Sequence, residues 1–198
     1  MKTALLRRIA LCLTAVPLLL AACSTEPPEN KDNLCSIFQE KDSWYVAAYA
    51  VHDRYGVPID VAMAILAQES GYSDGRQPMR WILFIPYGRG AEAPGYARSG
   101  DDEIWKQYVA EVGTFFSTPS RDDFEDSLDF IGWYMTRTKA INGIPFMDAY
   151  NQYLNYREGW EAYTQGSYKS KDWLIQAAED VKKRAAGYRS QLKHCVLY

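Results

Sequence analysis

One glutamate ends an apolar run and stands just before a glycine, in Ile65-Leu66-Ala67-Gln68-Glu69-Ser70-Gly71-Tyr72. Val61, Ala62, Ile65 and Leu66 recur at the spacing of one buried helix face. Glu69 falls on that face, one turn after Ile65. A carboxyl group there feels the negative end of the helix dipole and loses contact with water, and both effects favour its neutral form. An acid that keeps its proton near neutral pH is what general acid catalysis requires. The plainer reading is an ordinary helix-end glutamate before a glycine cap. Ser70 is placed to hold Glu69 or a substrate by hydrogen bond, or simply to end the helix.

No second acid is compellingly placed. Asp101 and Asp102 suit the first turn of a helix, where negative charge is favourable. Glu158, before Gly159, could line a cleft or be a solvated helix-end charge. His52 and His194 stand alone, and no Cys/His cluster has metal spacing. There is no HExxH, GxSxG or phosphate loop. No metal or cofactor is expected. The net charge of −3 argues against nucleic acid as a partner.

The N-terminus carries an address. Lys2, Arg7 and Arg8 precede an apolar run from Ile9 to Leu20, followed by Ala21, Ala22 and Cys23. A basic start, a short apolar core and small residues make an export signal, too short for the roughly 20 residues that span a bilayer. Leu20-Ala21-Ala22-Cys23 resembles a bacterial lipobox. That resemblance implies cleavage before Cys23 and its lipidation, and Ser24 favours passage to the outer membrane, facing the periplasm. The alternative is an ordinary signal cut near Ala22. Ser24 to Asn33, polar with Pro27 and Pro28, reads as a tether. The expected organisation is a signal over 1–22, lipidated Cys and tether over 23–34, and one domain over 35–198.

Cys35 and Cys195 form an even pair near the two ends of an exported domain, so a disulfide that staples the termini is expected. Two unrelated thiols are the alternative. Aromatic content is 14%, with 15 Tyr and 6 Trp. These side chains suit sugar faces and protein cores equally well.

The elements that must position Glu69 are helices. Trp44, Ala47, Ala48 and Val51 recur at helical spacing between Asp42 and Tyr55, and Pro58 opens the helix that ends at Ser70. Residues 71–94 are rich in Gly and Pro and read as a long ordered loop. Trp81 and Tyr87 within it are candidates to cover a site. Further helices are predicted over Ser99–Val112, from a Ser120/Asp123 capping box to about Ala140, over Phe146–Glu158 and over Ser170–His194. No run of strands and no internal repeat is apparent. The fold class is mainly α.

A helical exported chain with Glu-Ser ending an apolar helix resembles the lytic transglycosylases of the soluble-lytic (SLT), lysozyme-like family. Glu69-Ser70 matches the family's catalytic Glu-Ser. Gly95-Tyr96-Ala97 matches its second motif, Gly-Tyr-Ala-Gln, with Arg98 in place of Gln. Asn155-Tyr156-Arg157-Glu158-Gly159 matches its Ala-Tyr-Asn-x-Gly motif at Tyr156 and Gly159, and Tyr163 supplies a later Tyr. The resemblance covers roughly residues 42–165. It implies a lysozyme-like (SLT-type) helical domain that acts on peptidoglycan glycan strands. The bond cut is the MurNAc–GlcNAc β-1,4 bond, with a 1,6-anhydro product and Glu69 as acid and base. Ser70, Gly95, Tyr96, Ala97, Arg98, Tyr156 and Tyr163 would contact substrate, although each tyrosine could equally be a core aromatic. Arg98 either pairs with a substrate carboxylate or blocks the cleft. A non-catalytic, glycan- or protein-binding lipoprotein of the same fold is the other reading.

Overall fold

The computed structural model describes residues 26–74, 79–82, 85–89, 96, 102–114 and 117–196. Eight α-helices follow one another among these residues: α1 (Leu34–Glu40), α2 (Asp42–Tyr55), α3 (Ile59–Ser70), α4 (Asp102–Val112), α5 (Phe124–Asn142), α6 (Ala149–Glu158), α7 (Trp160–Thr164) and α8 (Asp172–Leu192). A 3₁₀ turn, Ser167–Ser170, joins α7 to α8. Between α3 and α4 lies an antiparallel hairpin, β1 (Met79–Ile82) with β2 (Ile85–Arg89). The fold is mainly α.

Helix α3 sits at the centre. Asp60 to Ala67 are all buried, as are Glu69 and Ser70, so the helix is enclosed on every side and not on one face alone. Such all-round apolarity marks a core helix. α2, α5, α6 and α8 pack around it. Gly132 lets α5 approach α2 closely, since a Cβ there would lie 2.6 Å from Val51 Cγ1.

The aromatic residues fill the core between these helices. Trp44 stacks on Phe124 with ring centroids 3.9 Å apart, and Tyr96 meets both edge-on. Phe130, Tyr134 and Tyr156 form a second group, with Trp160 stacked on Tyr134.

Three sequence expectations are corrected. The stretch 71–94 is not strand-free. The hairpin pairs Met79 with Arg89 and Ile82 with Ile85, with a register shift between Arg80 and Trp81. Pro86 and Gly88 read as breakers, yet both strands of a two-stranded hairpin are edges, where a missing N–H is tolerated. The α5 cap is Asp123 alone, accepting from Glu125 N at 2.9 Å and Asp126 N at 3.1 Å. Ser120 instead donates its N–H to Asp126 at 2.9 Å, so the expected Ser120/Asp123 box does not form.

The third correction concerns the tether. Its end is docked: Pro28 is buried, Tyr188 donates to Lys31 O at 2.6 Å, and Gln191 donates to Asp32 O at 3.0 Å. Asp32 also pairs with Arg184 at 2.9 Å. Polar backbone that reads as free linker thus finds partners on α8. Beside it Cys35 and Cys195 form a disulfide, with Cα atoms 5.6 Å apart. Among the described residues no helix is long and apolar enough to cross a membrane.

Candidate active site

Glu69 is delivered by the way α3 stops. Gly71 caps the helix in the left-handed region at φ 58°, and its N–H returns to Ala67 O. Tyr72 follows at φ 63°, an uncommon position for a residue with a Cβ. It is held there by three contacts. Its N–H donates to Ser70 Oγ at 3.1 Å, and its hydroxyl lies 3.2 Å from Met63 O and 3.0 Å from the Tyr188 hydroxyl. Ser70 in turn donates to Leu66 O at 3.0 Å. The Ser70 hydroxyl therefore builds the turn and is not directed to Glu69.

This turn leaves the Glu69 side chain inside the fold, 1% exposed, facing α6. Arg157 Nη1 lies 3.4 Å from Glu69 Oε2. The Tyr153 phenol lies close enough to the same carboxylate to feel its charge. The Tyr156 hydroxyl is buried without a hydrogen-bond partner and lies close enough to feel the Glu69 charge. Tyr153, Tyr156 and Arg157 are spaced i, i+3, i+4, so one face of α6 covers the carboxylate. Burial pushes both phenols well above the usual tyrosine range, and the Glu69 charge adds to that. Both phenols thus stay neutral. Two influences oppose one another at Glu69: burial favours the acid, while the guanidinium favours the carboxylate.

Asp74 is also buried and lines a cavity with Ser43, Trp44, Tyr96 and Asp122, while three further carboxylates are engaged elsewhere. Asp60 pairs with Arg189 at 2.7 Å, although burial still pushes its proton affinity up. Asp129 is held by Arg54, Tyr55 and Tyr108. Glu158 is neither a cleft residue nor a solvated charge. Its carboxylate, 5% exposed, accepts from Lys171 at 2.7 and 2.8 Å and from Ser167. Asp102 is exposed and pairs with Arg121 at 3.4 Å. Among the described residues no group of three or more His, Cys, Asp or Glu side chains is placed to hold a metal ion.

A buried glutamate at a helix end, faced by tyrosines and an arginine, suits proton transfer in acid–base chemistry. A family model, the transglycosylase SLT domain, matches residues 11–195. The chain belongs to the SLT transglycosylase family. No curated protein and no solved structure matches it. At family level this implies a glycan-cleaving transglycosylase with peptidoglycan as substrate.

The remaining predicted contacts of this SLT domain divide. Cys23, Gly95, Ala97, Arg98 and Asp101 lie outside the described residues. Tyr96 is a core aromatic against Trp44 and Phe124, its N–H bound to Arg121 O at 2.8 Å. Tyr163 stacks on Tyr168 and donates to Asn151 at 3.0 Å, contacts that do not include Glu69. Tyr156 alone of the three tyrosines lies near Glu69, its ring packed on Phe130 and Tyr134.

Asn155 is structural. It is fully buried, accepting from Asn142 at 2.6 Å through its side chain and from Tyr134 at 2.8 Å through its carbonyl. These bonds fix α6 to α5. Sequence reasoning missed Tyr153 and the role of Arg157. The signal was their i, i+4 spacing, which puts both on the helix face that carries Tyr156.

Proposed function

We propose that this SLT domain is a lytic transglycosylase in which Glu69 is both acid and base. Glu69 protonates the glycosidic oxygen as the MurNAc C1–O bond breaks, and the GlcNAc end leaves as an alcohol. The MurNAc N-acetyl group stabilises the cationic C1. The Glu69 carboxylate then takes the proton from the MurNAc 6-hydroxyl, whose oxygen bonds to C1 and closes a 1,6-anhydro ring. Water is not consumed, and Glu69 ends protonated as it began, its first proton now on the GlcNAc hydroxyl and its second taken from the 6-hydroxyl. The observation that supports this reading is one buried carboxylate at the end of α3, with Tyr153 and Arg157 turned on to it. Hydrolysis by the usual two-acid scheme needs a second carboxyl group roughly 5–10 Å away with its own role. Asp60 and Glu158 are held in ion pairs and Asp129 by Arg54, Tyr55 and Tyr108.

The export features support lipidation of Cys23 and an outer-membrane anchor that holds the domain in the periplasm. A second reading, a glycan-binding lipoprotein without catalysis, is favoured by one observation: an arginine already occupies the carboxylate. Digestion of purified sacculi, with mass analysis of the products, decides between them. Anhydro ends support the transglycosylase, reducing ends a hydrolase, and intact glycan retained on the protein the binding reading. Glu69→Gln should cut the rate by at least about 10²-fold. For the anchor, Cys23→Ser should leave the precursor uncut or release the protein from membranes. A processed form of that variant that still sediments with membranes would count against lipidation.

A further inference from the structure

The arginine on Glu69 stands where the family motif has asparagine. In Asn155-Tyr156-Arg157-Glu158-Gly159 the third position is Arg157, which brings a permanent charge to the buried carboxylate. The guanidinium is not simply an exposed end. It is 30% accessible and lies over the ring of Trp173, 5.6 Å from the centroid. Trp173, in the first turn of α8, is 58% exposed. The guanidinium therefore reaches Glu69 on its inner side and an indole face on its outer side. Stacking on the indole leaves the fork of N–H groups available to the carboxylate.

We propose that Arg157 is a positioning residue that keeps Glu69 ionised in the resting protein, with Trp173 holding the guanidinium in reach. The proposal rests on Glu69 being the acid and base of the reaction. In this arrangement the first chemical step needs a proton that the resting ion pair disfavours. The second step, removal of the 6-hydroxyl proton, needs the carboxylate that the ion pair favours. Arg157 thus trades one step against the other, and pH decides the balance.

Arg121 joins Arg157 in acting on the Tyr156 phenol beside Glu69, and other ionisable groups around α3 have partners of their own. α6 also presents the phenols Tyr153 and Tyr156 to Glu69. From α8, Arg189 goes to Asp60 at the far end of α3, Tyr188 goes to Tyr72, and Arg184 goes to Asp32. From α5, Asp129 is taken by Arg54 and Tyr55 of α2 and by Tyr108, while Tyr134 goes to Asn155 O. From α2, His52 is bonded to Val57 O.

The test has two readouts. One is the ¹³C-carboxyl NMR titration of Glu69 in the full-length processed protein without substrate. The other is the alkaline limb of kcat/KM on sacculi, which reports the same proton in the free enzyme. In Arg157→Gln both should move to higher pH by about one unit or more, as loss of an opposite charge within reach requires. Arg157→Lys keeps the charge and should stay near wild type. Trp173→Ala should move both readouts in the Gln direction by less. Titrations of Arg157→Gln and Trp173→Ala that overlay wild type would overturn the proposal, whatever the rates do. If Arg157→Gln does not fold, Arg157→Lys and Trp173→Ala decide it: an unmoved Trp173→Ala titration overturns it. A fully active Glu69→Gln would instead sink the functional reading and leave the NMR titration to judge Arg157 alone.

Discussion

Tyr72 and Tyr188 meet hydroxyl to hydroxyl at 3.0 Å in the buried core. The Tyr188 hydroxyl in turn donates to Lys31 O at 2.6 Å. This chain of bonds ties three distant parts together: the turn after Glu69, the middle of the last helix, and the backbone just before α1. The Tyr72 ring supports the unusual φ of 63° that ends α3. Burial, and then the Tyr188 hydroxyl, hold the Tyr72 phenol well above its ordinary range, so it acts as a neutral donor throughout the physiological pH range.

Tyr188→Phe should therefore destabilise the domain while leaving its packing intact. It removes two hydrogen bonds and leaves Lys31 O without this donor. A loss of about 1–3 kcal/mol is expected. Urea denaturation followed by circular dichroism measures it. A midpoint equal to wild type would mean that water replaces the phenol without cost.

The disulfide acts on the same region. Cys35 and Cys195 are separated by 160 positions, so the bridge removes much of the freedom of the unfolded chain. The chain-entropy model sets its contribution at roughly 5 kcal/mol for such a loop. The Cys35→Ser/Cys195→Ser double variant should melt well below wild type, and reducing agent should lower the wild-type melting temperature but not that of the variant. The docked segment before α1 should become protease-sensitive first, since its partners on α8 are few and partly exposed.

Glu69 was legible in the sequence because two independent signals coincide there. An apolar helical run ends, and a glycine follows one residue after the Glu-Ser pair. The helix boundaries around it were legible for the same reason: Gly56, Gly71 and Gly143 each take the left-handed cap that their position promises. The hairpin was not, because Pro86 and Gly88 interrupt the alternation that marks a strand. The tyrosines were not, because residue type does not say whether a ring meets sugar or protein. Trp44 and Phe124, distant in sequence, decide that Tyr96 is core. Arg157 was not legible from the motif, which matches only at Tyr156 and Gly159. Read by helical spacing and not by motif, Tyr153, Tyr156 and Arg157 form one face, and a face that carries Tyr, Tyr and Arg has something to hold.

Glu158 gives the stability an acid limb. Burial alone would raise its proton affinity, but Lys171 and Ser167 outweigh that and hold it below the ordinary value of 4.5. A group depressed in the folded state contributes stability above its unfolded pKa and loses it as pH falls through the folded one. The contribution is thus complete at neutral pH and disappears in acid below about 4.5. Glu158→Gln should be less stable than wild type at pH 7, and the gap should shrink at pH 3. Equal gaps at both pH values would show that the cost is lost packing and not lost charge.

Gly132 tests the central packing. A methyl group at this position would meet Val51 Cγ1 at 2.6 Å and Tyr55 Cδ2 at 2.9 Å. Helix propensity alone favours alanine by up to about 1 kcal/mol, whereas overpacking costs about 1–3 kcal/mol. The clash should win, because Tyr55 is tied to Asp129 at 2.9 Å and cannot turn away freely. Gly132→Ala should then lower the melting temperature. A rise would show that α2 shifts outward without penalty.

Tyr153 offers the sharpest test of the site's geometry short of removing Glu69. Tyr153→Phe keeps the ring and its packing in α6 but deletes the hydroxyl that stands near the carboxylate. A phenol O–H that donates there during the reaction would favour the ionised Glu69, which the proposed second step uses as a base. A hydrogen bond to a charged group is worth about 1.5–3 kcal/mol. If it is fully expressed in the transition state, the rate falls by about 10–100-fold. If it only packs, stability and rate both stay close to wild type. If it serves the first step instead, loss of the phenol helps Glu69 hold its proton, and the rate rises on the alkaline side. Our expectation is a fall in kcat with little change in KM, because the bond is to the reacting group and not to the sugar. A variant with unchanged kcat at every pH would remove Tyr153 from the reaction and leave Arg157 as the partner that tunes Glu69.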